Sequence, residues 1–156
     1  MKIKYISSTL FVMILSMFCS FVATIVLADK LTIENFGFFN LLKTILPMFS
    51  IIVLLGMDKT YIKEHSNISS ENIIYLIIPL IFIIAIPFTY LLTSVYSLAD
   101  YYVYILLCIV FGSVNMFLSS YLRIINFYGL AQILLSGYKI IFLAISLFVM
   151  IFCNVN

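Results

Sequence analysis

Charge is what this sequence has least of. Only 9% of its 156 residues are charged and 65% are hydrophobic, where a soluble domain devotes about 25% to charge. A chain this short cannot hide so much apolar surface in a core, and lipid is the solvent that removes the difficulty. A soluble globular domain is therefore excluded. A net charge of +2, without a basic patch interleaved with aromatics, argues against a nucleic-acid partner. Cys19, Cys108 and Cys153 lie in or beside apolar runs with no metal or redox spacing, so they read as small packing residues. No nucleophile stands beside a base, and there is no phosphate-binding loop and no metal-ligand cluster. The expectation is a protein that is not an enzyme and carries no cofactor. The single histidine, His65, falls in the polar stretch DKTYIKEHS and reads as a solvated loop residue.

What is present is a row of long apolar runs. Crossing the hydrocarbon takes about 20 apolar residues as a helix, because the backbone there must satisfy its own hydrogen bonds. Five stretches qualify: 5–28, 36–55, 73–95, 101–122 and 128–152. The alternation of a lipid-facing β-barrel strand is absent, so the fold class is an all-α membrane protein of five transmembrane helices in one membrane domain, 1–156. Short polar connections separate the spans, with Thr32 a candidate N-cap for the second and Ser69 or Ser70 for the third. Pro79 and Pro87 are expected to bend the third span. Lys2 and Lys4 ahead of an apolar run that ends in VLA also fit a secretory signal. The run is longer than the roughly 7–15 residues of a signal core, which favours an uncleaved first helix.

Loop charge sets the orientation. With the N-terminus cytoplasmic, that side holds Lys2, Lys4, Lys59, Lys63 and Arg123, and the other side only Lys30. Lys59 and Lys63, one helical turn apart, are placed to meet anionic headgroups. The glycosylation acceptor Asn67-Ile68-Ser69 falls on the cytoplasmic side and is discounted.

At about 100° per residue, side chains three, four and seven apart share a helix face. Thr9, Ser16, Ser20 and Thr24 line up in the first span, and Asn40, Lys43, Thr44, Pro47 and Ser50 in the second. Gly112, Asn115, Ser119 and Arg123 do so in the fourth, and Gln132, Ser136, Lys139 and Ser146 in the fifth. The third span has no such seam and is expected to be the most lipid-facing. For the serines, threonines and glycines, helix packing is a sufficient explanation, at about 1 kcal/mol or less per contact. Lysine is different, costing about 2.5–3.5 kcal/mol at a helix centre and usually facing an interior or a watery cavity. Lys43, some seven residues into its run, can serve a cavity or snorkel outward. Lys139 falls near mid-span, where a cavity or partner is the better account. No carboxylate lies within the spans, so the missing anion is a ligand or belongs to other protein. Asn40, Lys43, Asn115, Arg123, Gln132 and Lys139 are the candidate cavity residues.

The stretch ENFGFFNLLKTILPMFSIIVLLGMDKTYIKEHS resembles the N-terminal part of Wzx-type oligosaccharide flippases, within the multidrug/oligosaccharidyl-lipid/polysaccharide (MATE-like) exporter superfamily. Glu34, Phe36 and Gly37 match the acidic residue and aromatic-glycine pair that open the second helix of that family. Leu55, Gly56, Met57, Asp58 and Lys59 match the Leu-Gly and charged loop that close it. The segment SSYLRIINFYGLAQILLSGYKIIFLAISLFV is similar to the family's fourth-to-fifth helix passage, with Arg123 the basic residue at the turn. The resemblance implies a bacterial inner-membrane transporter of undecaprenyl-pyrophosphate-linked glycan. It implies some twelve to fourteen helices in two lobes that rock around a cationic cavity. Lys43 and Lys139 would then attract the pyrophosphate or an acidic sugar. Five spans make only part of one lobe, so the chain is expected to be a truncated N-terminal part, inactive alone. Its partners would be membrane lipids and a second lobe or copies of itself. The rivals are a drug or metabolite antiporter of the same superfamily, a small accessory scaffold, and, more remotely, a membrane-embedded transferase.

Overall fold

In the computed structural model the described residues are 2–64 and 70–152; of residues 2–8, 64, 70–74 and 149–152 only the backbone is described. They are almost wholly helical, with no strand among them. Five segments are long and apolar enough to cross a membrane: Thr9–Lys30, Ile33–Leu54, Tyr75–Val95, Ala99–Ile124 and Tyr128–Phe148. The chain is an all-α, multi-pass membrane protein. His65, the Asn67-Ile68-Ser69 acceptor, the cap candidate Ser69 and Cys153 lie outside the described residues.

The helices in chain order are α1 (Lys2–Lys30), α2 (Ile33–Leu54), α3 (Met57–Glu64), α4 (Ser70–Val95), α5 (Tyr102–Ile124), α6 (Tyr128–Ser136) and α7 (Tyr138–Phe152). A single 3-10 turn, Ala99–Tyr101, precedes α5. Their ends follow local chemistry. The Asn35 N–H donates to Thr32 Oγ1 at 3.4 Å, so Thr32 caps α2 as the sequence suggests. α2 stops where Leu55 and Gly56 turn left-handed, at φ 48 and 75, a conformation that glycine adopts without strain. α4 ends at left-handed Ser97, with the Leu98 N–H reaching back to the Thr93 carbonyl at 2.8 Å, as in a Schellman cap. Asn126, also left-handed at φ 65, follows the end of α5.

The helices form two compact units, Met1–Leu41 with Asn126–Asn156, and Leu42–Ile125. In the first, α1 packs on α6 and α7. Its buried residues are small: Ser16, Cys19 and Ala23 on α1, Ala131 and Ser136 on α6, Ser146 on α7. Small side chains let helix backbones approach closely, which is how helices gain contact in lipid. Phe39 and Phe142 stack within this unit, with centroids 5.5 Å apart.

The second unit is packed by larger side chains. α4 lies along α5, contributing Ile77, Ile81, Ala85 and Leu92 against Ile105, Ile109, Val110 and Phe117. The last turns of α2 add Val53 and Leu54. Ser50 and Ser113 join α2 to α5 directly. Ser113 Oγ donates to the Ser50 carbonyl at 3.0 Å and Ser50 Oγ to the Ile109 carbonyl at 3.3 Å. A Cβ at Gly112 would meet the Ser50 side chain, so glycine is what admits this approach. α3 packs on α5 through Tyr61, whose ring lies 5.5 Å from Phe117 and 6.3 Å from Tyr121. Burial, and then the neighbouring Tyr121, hold the Tyr61 hydroxyl above the ordinary tyrosine range, so it packs as a neutral group.

Three sequence expectations change. The third span is not the most lipid-facing, because 33% of it is buried against 17% of the first, second and fifth. Apolarity carries no direction in a membrane, where lipid tails are as oily as a neighbouring helix. The stretch after Gly56, read as a loop, contains the helix α3. The fifth span is interrupted at Gly137.

Candidate functional site

Helix lengths place Lys43 deeper than loop-to-loop counting suggests and leave Lys139 where the sequence puts it. α2 begins at Ile33 and runs 22 residues, which makes Lys43 its eleventh. That is about 15 Å from the helix start at 1.5 Å per residue, and not the roughly 10 Å that a start at Phe36 implies. Lys139 is the twelfth residue of the Tyr128–Phe148 span. Lys43 therefore stands at the middle of α2, and Lys139 at the middle of the fifth span, as the second residue of α7 just past the interruption at Gly137. All six acidic residues are elsewhere, at helix ends or in α3: Asp29, Glu34, Asp58, Glu64, Glu71 and Asp100.

Lys139, Gln132 and Asn40 belong to the first unit. Lys139 is half-buried, with Nζ 6.0 Å from the centroid of the adjacent Tyr138 ring, at the edge of cation–π range. Two turns earlier Gln132 Nε2 donates to the buried Ser136 Oγ at 3.0 Å. Gln132, Ser136, Lys139 and Ser146 keep to one stripe across the interruption, because Gly137 is itself right-handed helical, at φ −64 and ψ −30. The turn there is tight. The Gly137 N–H meets the Ile133 carbonyl at 2.6 Å, and a Cβ at 137 would lie 2.5 Å from that oxygen. Two members of the stripe, Ser136 and Ser146, are buried, and Lys139 lies between them. Asn40 on α2 is half-buried.

Lys43, Asn115 and Arg123 belong to the second unit. Lys43 is exposed, although it shares its helix face with buried Ser50, seven residues on. Asn115 is exposed on the side of α5 away from buried Ser113, and Arg123 is exposed in the last turn of α5. Of the fourth-span seam, Ser119 is buried and Gly112 is half-buried at the Ser50 contact. Sequence periodicity thus found the seams but not which members pack. The Ser50–Ser113 contact was missed, and the signal for it was the adjacent small pair Gly112-Ser113.

Comparison of the chain with protein-family models, with curated proteins and with solved structures finds no match.

Proposed function

We propose that this chain supplies part of a transporter that moves lipid-linked oligosaccharide across a bacterial cytoplasmic membrane, with its N-terminus on the cytoplasmic side. The observation that supports the reading is the placement of Lys43 and Lys139 at the middles of their apolar spans, with every carboxylate at a helix end or in α3. A cation at that depth costs about 2.5–3.5 kcal/mol, a cost that an anionic cargo offsets and a purely packing role does not. On this reading the lysines attract the pyrophosphate or an acidic sugar of the glycan carrier. Asn40, Asn115, Gln132 and Arg123 offer hydrogen bonds to the sugars. Transport belongs to an assembly of two lobes to which this chain contributes helices.

The scaffold reading has its own support in the small-residue packing around Ser16, Ala23, Ser50 and Ser113. One experiment separates the two. K43Q and K139Q, alone and together, are introduced into the complete export assembly, and surface polysaccharide and thermal stability are measured. The transport reading expects export to fall at least tenfold in the double variant at unchanged protein level. A scaffold instead becomes more stable on losing two mid-membrane charges, with export unaltered, and that outcome sinks the proposal. An antiporter of the same superfamily would lose drug or metabolite efflux and keep polysaccharide export.

A further inference from the structure

The eight residues of α3 are too few to cross a membrane, and they lie between two spans that do. α3 is held to the second unit by one face. Met57 packs on the core and Tyr61 is buried against Phe117 and Tyr121 of α5. Lys59 and Lys63 stand two residues to either side of Tyr61. At about 100° per residue both therefore fall on the opposite face of the helix. Both are exposed, with Ile62, also exposed, beside them. The Tyr61–Tyr121 contact sets α3 against the closing turn of α5, where Arg123 is exposed as well. Three cations thus stand at one end of this unit, at the level where two spans finish, with Arg123, two residues from Tyr121, on the face of α5 turned away from α3 by the same rule. Among the described residues none of the three has an ion-pair partner.

We propose that the outer face of α3, with Arg123 at the adjoining end of α5, is a docking strip for the anionic headgroups of bilayer phospholipids. Charge complementarity selects the occupant. Lysines beside an exposed isoleucine at the mouth of two spans can lay their stems on the acyl boundary and their ammonium groups among phosphates. Arg123 adds a planar donor fork suited to phosphate oxygens. Asp58, Glu64 and Glu71 share this end of the chain, so the attraction is local and not a matter of net charge. Asp58 is half-buried, and Glu64 falls at a helical register nearer Tyr61 than the lysines. The strip is independent of Lys43 and Lys139 and of any cargo, so it stands or falls apart from the transport reading.

The test uses the full chain in phosphatidylcholine vesicles containing spin-labelled phosphatidylglycerol or spin-labelled phosphatidylcholine. The selectivity of the motionally restricted lipid shell is then read by electron paramagnetic resonance. The wild type is expected to prefer phosphatidylglycerol, and the preference should shrink at high salt. Each removed cation should weaken it by about threefold to fivefold. K59Q/K63Q/R123Q should bring it to parity, and K30Q, at the opposite end of its span, should leave it unchanged. Circular dichroism checks that the triple variant folds; should it not, the K59Q/K63Q pair, both exposed, carries the test. A preference that survives the triple change, or that K30Q lowers equally, overturns the strip. So does competition by soluble glycerol phosphate, which would mark a phosphate pocket and not a membrane surface.

Discussion

The two compact units bury different kinds of side chain for the same solvent. In the unit built from α1, α6 and α7 the interior is serine, alanine and cysteine, and bulky residues such as Phe11, Phe18 and Phe21 are exposed. The unit of α3, α4, α5 and the second half of α2 reverses this, burying Phe117, Leu54, Ile81, Leu92 and Ile109. In water, burial of the larger side chains would be the stronger arrangement. In lipid an unpacked phenylalanine is already out of water, so area removed from water decides little and closeness of fit decides most. Small residues achieve fit by bringing backbones together, and large ones by interlocking. The chain uses both.

Mutations can break or sharpen this contrast, and unfolding of the full chain in mixed micelles gives the measure. The largest effect is expected for Phe117→Ala in the large-residue unit. It empties the space against Tyr61 and should cost about 3 kcal/mol, at the low end for a phenylalanine because the transfer term is reduced in lipid. A loss under ~1 kcal/mol would mean that the interlocking is dispensable. Next comes overpacking of the small-residue unit. Ala23→Leu or Ala131→Leu, at positions with no exposure, should cost about 1–3 kcal/mol. A neutral result would show that α1 does not need close approach. Ser113→Ala removes one interhelical hydrogen bond and should cost about 0.6 kcal/mol, since the helix still satisfies its other groups. Phe18→Leu on the exposed face of α1 should stay within ~0.5 kcal/mol of wild type. A large loss there would reveal a partner on that face.

How legible this was in the sequence depends on the physics behind each signal. The spans were legible because the bilayer demands about 20 apolar residues regardless of neighbours. Thr32 was legible because a cap is local chemistry. α3 was not, since eight polar-to-mixed residues look like a loop until Tyr61 finds Phe117 and Tyr121. The orientation of α4 was not legible either, because a helix apolar all round offers no face to choose. At the candidate site, hydropathy flagged Lys43 and Lys139 as cations inside apolar runs, but not that a helix break at Gly137 falls just ahead of Lys139. The depth of Lys43 was underestimated only because the start of α2 at Ile33 includes polar Glu34 and Asn35, which hydropathy alone assigns to a loop.

The serine pair between α2 and α5 bears on how the chain is made. Besides reaching across, Ser50 Oγ already donates to Leu46 of its own helix at 3.0 Å, and Ser113 Oγ to Ile109 at 2.8 Å. Each span can therefore leave the insertion machinery singly with neither of these two hydroxyl protons bare in the hydrocarbon. The two helices then share acceptors only when they meet. Order of synthesis need not dictate order of assembly, and α2 can wait in the bilayer with its Ser50 hydroxyl already bonded until α5 arrives some fifty residues later.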